Sequence, residues 1–163
     1  MPIRIANNDD LQQMVDIYNQ AILTKRCTAD TETFSIQERQ PWFQAHQNKQ
    51  YPLYVYEQDG NVVGYLYFSA YRPGRKAMIA TAEISYYLHQ DFLGQGIGSQ
   101  LMSFAISQGK TLGFKTLVAI LLSINEPSIA LLKKYDFTEW GRMHDIAEFD
   151  HGTCSHLYFG LKL

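Results

Sequence analysis

Cysteine is scarce in this chain: Cys27 and Cys154 are the only two among 163 residues, far apart and in no C-x-x-C pair, so free thiols in a reducing compartment are expected rather than a disulfide framework. No segment approaches the ~18 consecutive apolar residues of a membrane span. The opening MPIRIANNDD has neither the basic start nor the ~7–15-residue apolar stretch of a signal peptide, and the expectation is a soluble, cytoplasmic protein with no membrane partner. Lysine and arginine total 14 against 16 acids and never gather into a run of five or six; with a net charge of -2, no nucleic-acid partner is expected. Internal repeats, low-complexity tracts and domain linkers are also lacking, so residues 1–163 are expected to form one domain. Aromatics, by contrast, are plentiful, with 11 Tyr and 9 Phe, which suits a well-filled core or an aromatic-lined pocket.

Hydrophobic period and punctuation divide the chain. Ile3–Ile5 is a short strand candidate, and Leu11, Met14, Val15, Tyr18 and Ile22 recur at helical spacing behind a cap at Asp9 or Asp10. Ser35 and Glu38 form an S-x-x-E capping box for a second helix carrying Trp42 and Phe43, with Lys25–Phe34 an unperiodic loop before it. Tyr51–Gln58 and Asn61–Ala70 flank Asp59-Gly60 and predict an antiparallel hairpin. Met78–His89 predicts a third long strand, followed by a helix from about Gly96 to Leu112. The run TLVAILL at 116–122 is apolar without alternation, as a strand buried on both faces and parallel to the one before it would be. Asn125 and Pro127 open a helix to about Tyr135, and Phe137–Phe149 and Ser155–Leu163 predict two closing strands. The order is β-α-α-β-β-β-α-β-α-β-β.

Between the third long strand and its helix lies DFLGQGIGSQ, residues 91–100, with glycine at 94, 96 and 98. The unpaired amides of a first helical turn, with the helix dipole behind them, favour an anion there, and glycine lets a ligand approach the backbone. A dinucleotide fingerprint needs glycine at the sixth place, where Ser99 stands, and an acid about twenty residues on. A P-loop needs Lys-Ser/Thr after the last glycine, and none follows. Backbone amides without lysine or metal suit a pyrophosphate that is held and never cleaved, which is how coenzyme A is bound.

Leu93-Gly94-Gln95-Gly96-Ile97-Gly98 resembles the Arg/Gln-x-x-Gly-x-Gly/Ala signature of the Gcn5-related N-acetyltransferases (GNAT), with Leu93 in place of Arg or Gln. Thr81-Ala-Glu-Ile-Ser-Tyr-Tyr-Leu88, and Asn125 through Phe137 against N-x-x-S-x-x-L-(Tyr/His)-x-x-x-G-F, narrow the resemblance to the phosphinothricin and methionine sulfoximine acetyltransferase branch. Ile17–Ala21 and Trp42-Phe43 also fit. The resemblance implies a mixed α/β fold: a central, mostly antiparallel sheet of about seven strands with four helices, whose parallel fourth and fifth strands splay around the acyl-CoA. It implies acetyl-CoA as co-substrate, without metal, and transfer of the acetyl group to a small primary amine, an amino acid or analogue; a homodimer is common in the branch. Gly94, Gln95, Gly96, Ile97, Gly98 and Ser99 would hold the pyrophosphate. Tyr86, Tyr87 and Leu88 would line the pantetheine arm and the thioester, and Asn125 and Ser128 would make a second coenzyme contact.

Transfer needs a neutral amine, and an α-amino group of pKa about 7.7–8.0 is mostly protonated at pH 7. Glu83, the only acid inside the long central strand, is the candidate base, with Thr81, Ser85 and Tyr87 on its face at period two. A Leu88 amide aimed at the carbonyl oxygen would stabilise developing charge. Arg72 and Arg75, in the loop before that strand, offer guanidinium groups for an amino-acid carboxylate. The proton donor that the family places on its last helix is missing, since Leu132 stands there and Tyr135 follows one turn later. Around Phe149–His156 only Gly152 of the branch pattern is kept. His151, Cys154, His156 and Asp150 do not share one strand face, so no metal site is expected. Two rival functions remain: a coenzyme A-binding sensor or adaptor without turnover, for which Leu93 and Leu132 speak, and a protein or peptide N-acetyltransferase.

Overall fold

Asp59 and Gly60 both adopt left-handed backbone, at φ 52° and 77°, which is the geometry a two-residue turn needs to match the twist of its strands. The turn joins β2 (Leu53–Gln58) to β3 (Asn61–Ala70) as an antiparallel pair. The computed structural model describes residues 2–163. Around the hairpin stand β1 (Ile3–Ile5), β4 (Thr81–Leu88), β5 (Thr116–Leu122), β6 (Thr138–Phe149) and β7 (Gly152–Lys162), in sheet order β1-β2-β3-β4-β5-β7-β6. Only β4 and β5 run parallel; every other neighbouring pair is antiparallel. The expected mixed sheet of seven strands with four helices is therefore what the chain builds.

Helices α1 (Leu11–Leu23) and α2 (Ile36–Ala45) cover one face; α3 (Ile97–Thr111) and α4 (Glu126–Lys134) cover the other. Burial on both faces explains why the central strands read as unbroken apolar runs. In β2, Leu53 and Val55 pack under α1 and α2, while Tyr54 and Tyr56 join Leu66, Phe68, Ile84, Leu101 and Leu117 on the α3 side. The tyrosines keep their hydroxyls satisfied there: Tyr56 donates to Gln100 Oε1 at 3.0 Å and Tyr54 to Gln108 Oε1 at 3.4 Å, both on α3.

Several boundaries differ from the sequence expectation, among them the start of β2 at Leu53 rather than Tyr51. The third long strand begins at Thr81, not Met78, because β3 ends at Ala70 opposite Ala82 and earlier residues have no ladder to join; Lys76–Met78 instead form a 3-10 turn. It ends at Leu88 rather than His89, whose imidazole caps the following 3-10 turn. Asp10 holds the N-cap position of α1, as expected, but makes no capping bond to it; its carboxylate forms a capping box with Asn7 over the preceding 3-10 turn and takes two bonds from Arg4, at 2.7 and 2.8 Å. The last strand starts at Gly152, since a two-residue turn at Asp150-His151 lets β7 pair with β6 as far as Phe149.

Candidate functional site

Strand β4 changes partners part-way along. Thr81, Ala82 and Glu83 pair with Thr116, Leu117 and Val118 of β5, and there the parallel ladder stops. Pairing of β4 with β3 continues to Leu88, and pairing of β5 with β7 continues to Leu122, so two strand edges face one another across a gap. His89 N donates to Val63 O of β3; by alternation Ile84, Tyr86 and Leu88 turn their backbone groups away from β3 and toward the gap. Free strand edges are hydrogen-bonding templates for an extended ligand. The gap holds a narrow cavity of about 40 Å³, a slot rather than a chamber, bordered by Tyr86, Tyr87, Ala119, Asn125, Ser128 and Leu132 among others.

At the outer end of the slot the glycine loop opens α3. Gly94 and Gly96 have φ of 74° and 81°, and a Cβ on either meets nothing within 4 Å, so their glycine character serves backbone conformation. Gly98 is different: its Cβ would stand 3.3 Å from Leu131 and 3.5 Å from Leu88, so here glycine lets α3 pack against α4 and β4. Gly96 is the left-handed N-cap and supplies no side-chain hydrogen bond. The first bond inside α3 runs from Gln100 N to Gly96 O, which leaves the amides of Ile97, Gly98 and Ser99 unpaired in the helix at its positive end. Gln95 Nε2 donates to Asp91 O at 3.2 Å and steadies the loop, and Leu93 is exposed. A loop with open amides and no Cβ in the way fits a pyrophosphate.

Glu83 lies on the opposite face of β4, toward α1 and α2. Its carboxyl has no hydrogen bond or ion pair among the described residues, and burial pushes its pKa above the ordinary glutamate value. Opposite it on β3 stands Ser69, whose hydroxyl lies 3.2 Å from His46 Nε2. His46 Nδ1 is 2.8 Å from Trp42 O, which can only accept, so Nδ1 carries the proton and Nε2 accepts from Ser69. Burial pushes the His46 pKa down and favours that neutral form.

Beside Glu83 the aromatic residues gather. Tyr87 meets Tyr18 edge-on at 5.0 Å between centroids, and Trp42 meets Tyr67 edge-on at 5.1 Å. Arg39 of α2 holds its guanidinium 4.0 Å from the Trp42 centroid, 4.6 Å from Tyr18 and 5.3 Å from Phe34. No carboxylate or carbonyl among the described residues bonds to it. Burial pushes the Tyr67 phenol up, and the charges of Arg39, Glu83 and Asp30 all act on it, which places three ionisable groups around one hydroxyl. The loop over residues 25–34 is fixed across this face: Asn19 bonds both Phe34 N and Phe34 O, at 2.9 and 2.8 Å, and Tyr18 reaches Thr28 at 3.0 Å and Asp30. At its other end Lys25 pairs with Asp150.

The structure brings most of the expected residues together. Asn125 and Ser128 border the slot, and Asn125 Oδ1 also accepts from Ser128 N at 3.4 Å as the cap of α4. Leu132 is buried at the slot, and the Tyr135 hydroxyl donates to Ser99 O at 2.8 Å, so it braces α3 against α4 rather than facing the slot. Arg72 and Arg75 are exposed and frame a separate surface pocket with Tyr51, Met78 and Ile79. No group of three or more potential metal ligands occurs among the described residues. Arg39, His46 and Ser69 had no sequence signal, because the packing of α2 on β3 is what assembles them.

Comparison with known proteins follows the same lines. Residues 13–137 match the acetyltransferase (GNAT) family. YwnH of Bacillus subtilis, provisionally named a phosphinothricin acetyltransferase, is 39% identical over 151 residues, covering 92% of this chain and 91% of that protein. The L-methionine sulfoximine/L-methionine sulfone acetyltransferase of Salmonella typhimurium is 32% identical, with 90% and 85% covered. Among solved structures, a GNAT superfamily phosphinothricin acetyltransferase from Sinorhizobium meliloti in complex with AcCoA superposes with a TM-score of 0.91 at 30% identity, over 100% of this chain and 89% of the other.

Proposed function

The chain belongs to the GNAT family of acetyltransferases, and from that premise we propose that it transfers the acetyl group of acetyl-CoA to the primary amine of a small molecule, an α-amino acid or analogue. The observation that carries this reading is the break in the β4–β5 ladder directly after Glu83, because it puts an acyl-donor slot and an unpaired carboxylate on the same strand. In this reading the amides of Ile97, Gly98 and Ser99 hold the pyrophosphate. The pantetheine arm lies along the gap, where the backbone of Ile84, Tyr86 and Leu88 meets it and the Leu88 amide polarises the thioester carbonyl. Glu83 takes the ammonium proton of the acceptor, either directly or through one water, and its raised pKa makes it a better base than a free glutamate. Holding both reactants across one strand supplies the rest of the acceleration.

The acceptor enters from the α1/α2 face. We assign its carboxylate to Arg39: the rings occupy the faces of the guanidinium, and its edge is left for a bidentate partner. Arg72 and Arg75 then belong to the rim, as guides for an anionic acceptor. A homodimer is carried by the outer strand β6, where Trp140, Met143 and Ile146 expose apolar surface; sedimentation tests it, and a monomer at micromolar concentration contradicts it.

Leu132 favours the rival reading, a coenzyme A sensor without turnover. Thiol release from acetyl-CoA, measured against amino acids, sulfone and sulfoximine analogues, polyamines and peptides, separates the readings. Release dependent on a small amino acid is expected. Tight coenzyme binding with no amine-dependent release establishes the sensor, and release with peptides alone establishes the protein acetyltransferase.

A further inference from the structure

One buried polar side-chain atom among the described residues has no hydrogen-bond partner: the hydroxyl of Tyr86. Buried polar groups are paired in the great majority of cases, and an exception in a cavity marks a group whose partner arrives from outside. The ring of Tyr86 lies on the α3/α4 side of β4, and it borders the slot together with Ser128, Cys27 and Leu132. Leu132 of α4, which also borders the slot, is apolar, and the Tyr135 hydroxyl is already committed to Ser99 O. On α4 the slot then keeps one side-chain hydroxyl, that of Ser128 in the first turn, and Tyr86 brings a second from β4.

We propose that the Tyr86 hydroxyl donates a hydrogen bond to the sulfur leaving the thioester, so that β4 supplies a donor where position 132 of α4 is apolar. This inference rests on the acetyl-CoA reading given above. In the step it serves, the amine nitrogen bonds to the carbonyl carbon, the carbon–sulfur bond breaks, and its electron pair stays on sulfur. Glu83, on the other face of the strand, has by then passed the ammonium proton to solvent and takes the second proton that nitrogen loses. Tyr86 keeps its own proton: burial pushes its pKa up to about 12, Cys27 adds to the rise, and the Ser128 hydroxyl, close by but short of hydrogen-bond geometry, opposes it. An ordinary thiol has a pKa of about 8.5, so full transfer from the phenol to the thiolate is uphill. Sulfur leaves as a hydrogen-bonded thiolate, and solvent protonates it after release.

The test uses coenzyme A itself and needs no turnover. Thiolate absorbance of enzyme-bound coenzyme A is titrated in wild type and Tyr86→Phe, with the S-methyl thioether of coenzyme A as the blank. The bound thiol is expected to titrate about one unit higher in Tyr86→Phe, and kcat to fall about tenfold at unchanged KM for acetyl-CoA, the size of one hydrogen bond to a charged group. Thermal stability of the free variant should be unchanged or higher, since the hydroxyl it loses is unsatisfied. Equal thiol pKa values in the two proteins overturn the proposal, and so does a drop in stability that accounts for the lost activity. Wild type that fails to bind coenzyme A at all overturns the acetyl-CoA reading, and the role of Tyr86 falls with it.

Discussion

The two faces of β4 are built on opposite terms. On one, Ile84, Tyr86 and Leu88 join an apolar layer with α3 and α4, where the glycine loop supplies backbone amides and Lys134, bonded to Ser99 Oγ at 3.0 Å, the nearby charge. On the other, Glu83, Ser85 and Tyr87 look toward Tyr67, Ser69, His46 and Arg39, a half-buried polar and aromatic cluster held by α1 and α2. In the proposed reaction, side-chain alternation on a single strand keeps the two reactants apart, and its free edge beyond Glu83 is where they would meet. An acyl donor needs conformation and backbone groups; an amine acceptor needs titratable and charged ones.

The largest break in this contrast comes from Glu83→Gln, which keeps the shape of the acceptor face and removes its base. It should lower kcat by about 10²–10⁴-fold with little change in coenzyme affinity, checked by steady-state kinetics and calorimetry. Arg39→Met keeps much of the packing against Trp42 and removes the charge. Loss of a charge-assisted pair predicts a rise of about 10–100-fold in KM for an amino acid and no rise for the corresponding amide, whereas Arg75→Met should shift both by less. On the donor face, Gly96→Val forces a β-branched residue into left-handed backbone and should weaken coenzyme A binding about tenfold. Equal affinity in Gly96→Val contradicts the pyrophosphate cradle.

The smallest effect lies away from both faces and sharpens the comparison as a control. Burial pushes the Asp10 carboxyl up, but the Arg4 guanidinium and the Asn7 amide outweigh it and hold its pKa below the ordinary value. A depressed carboxyl contributes stability above its unfolded pKa and loses it as pH falls through the folded one. Asp10→Asn should therefore cost about 1–2 kcal/mol near neutrality, with the difference shrinking in acid, and should leave kcat unchanged. Thermal melts across pH check it.

Much of the architecture was legible because its signals are local: Asp59-Gly60 fixed the hairpin, Ser35 with Glu38 fixed a helix start, and TLVAILL marked the parallel strand buried on both faces. Strand ends were misjudged where the ladder decides, as at Met78, whose side chain is apolar but has no partner strand. The three glycines read as one device and prove to be two, left-handed backbone at 94 and 96 and close packing at 98. The acceptor cluster was illegible because Arg39 and His46, in and at the end of α2, meet Ser69 only through the packing of α2 on β3. The unpaired hydroxyl of Tyr86 is likewise a property of its surroundings, and no sequence pattern encodes it.

Whether Glu83 is the base for acetyl transfer is decided by the pH dependence of amine-dependent thiol release. Because burial raises its pKa, wild-type kcat should rise with pH through a midpoint above that of a free glutamate, and Glu83→Gln should lose both that rise and most of the rate. Wild type and Glu83→Gln with the same rate and the same pH profile would contradict the account.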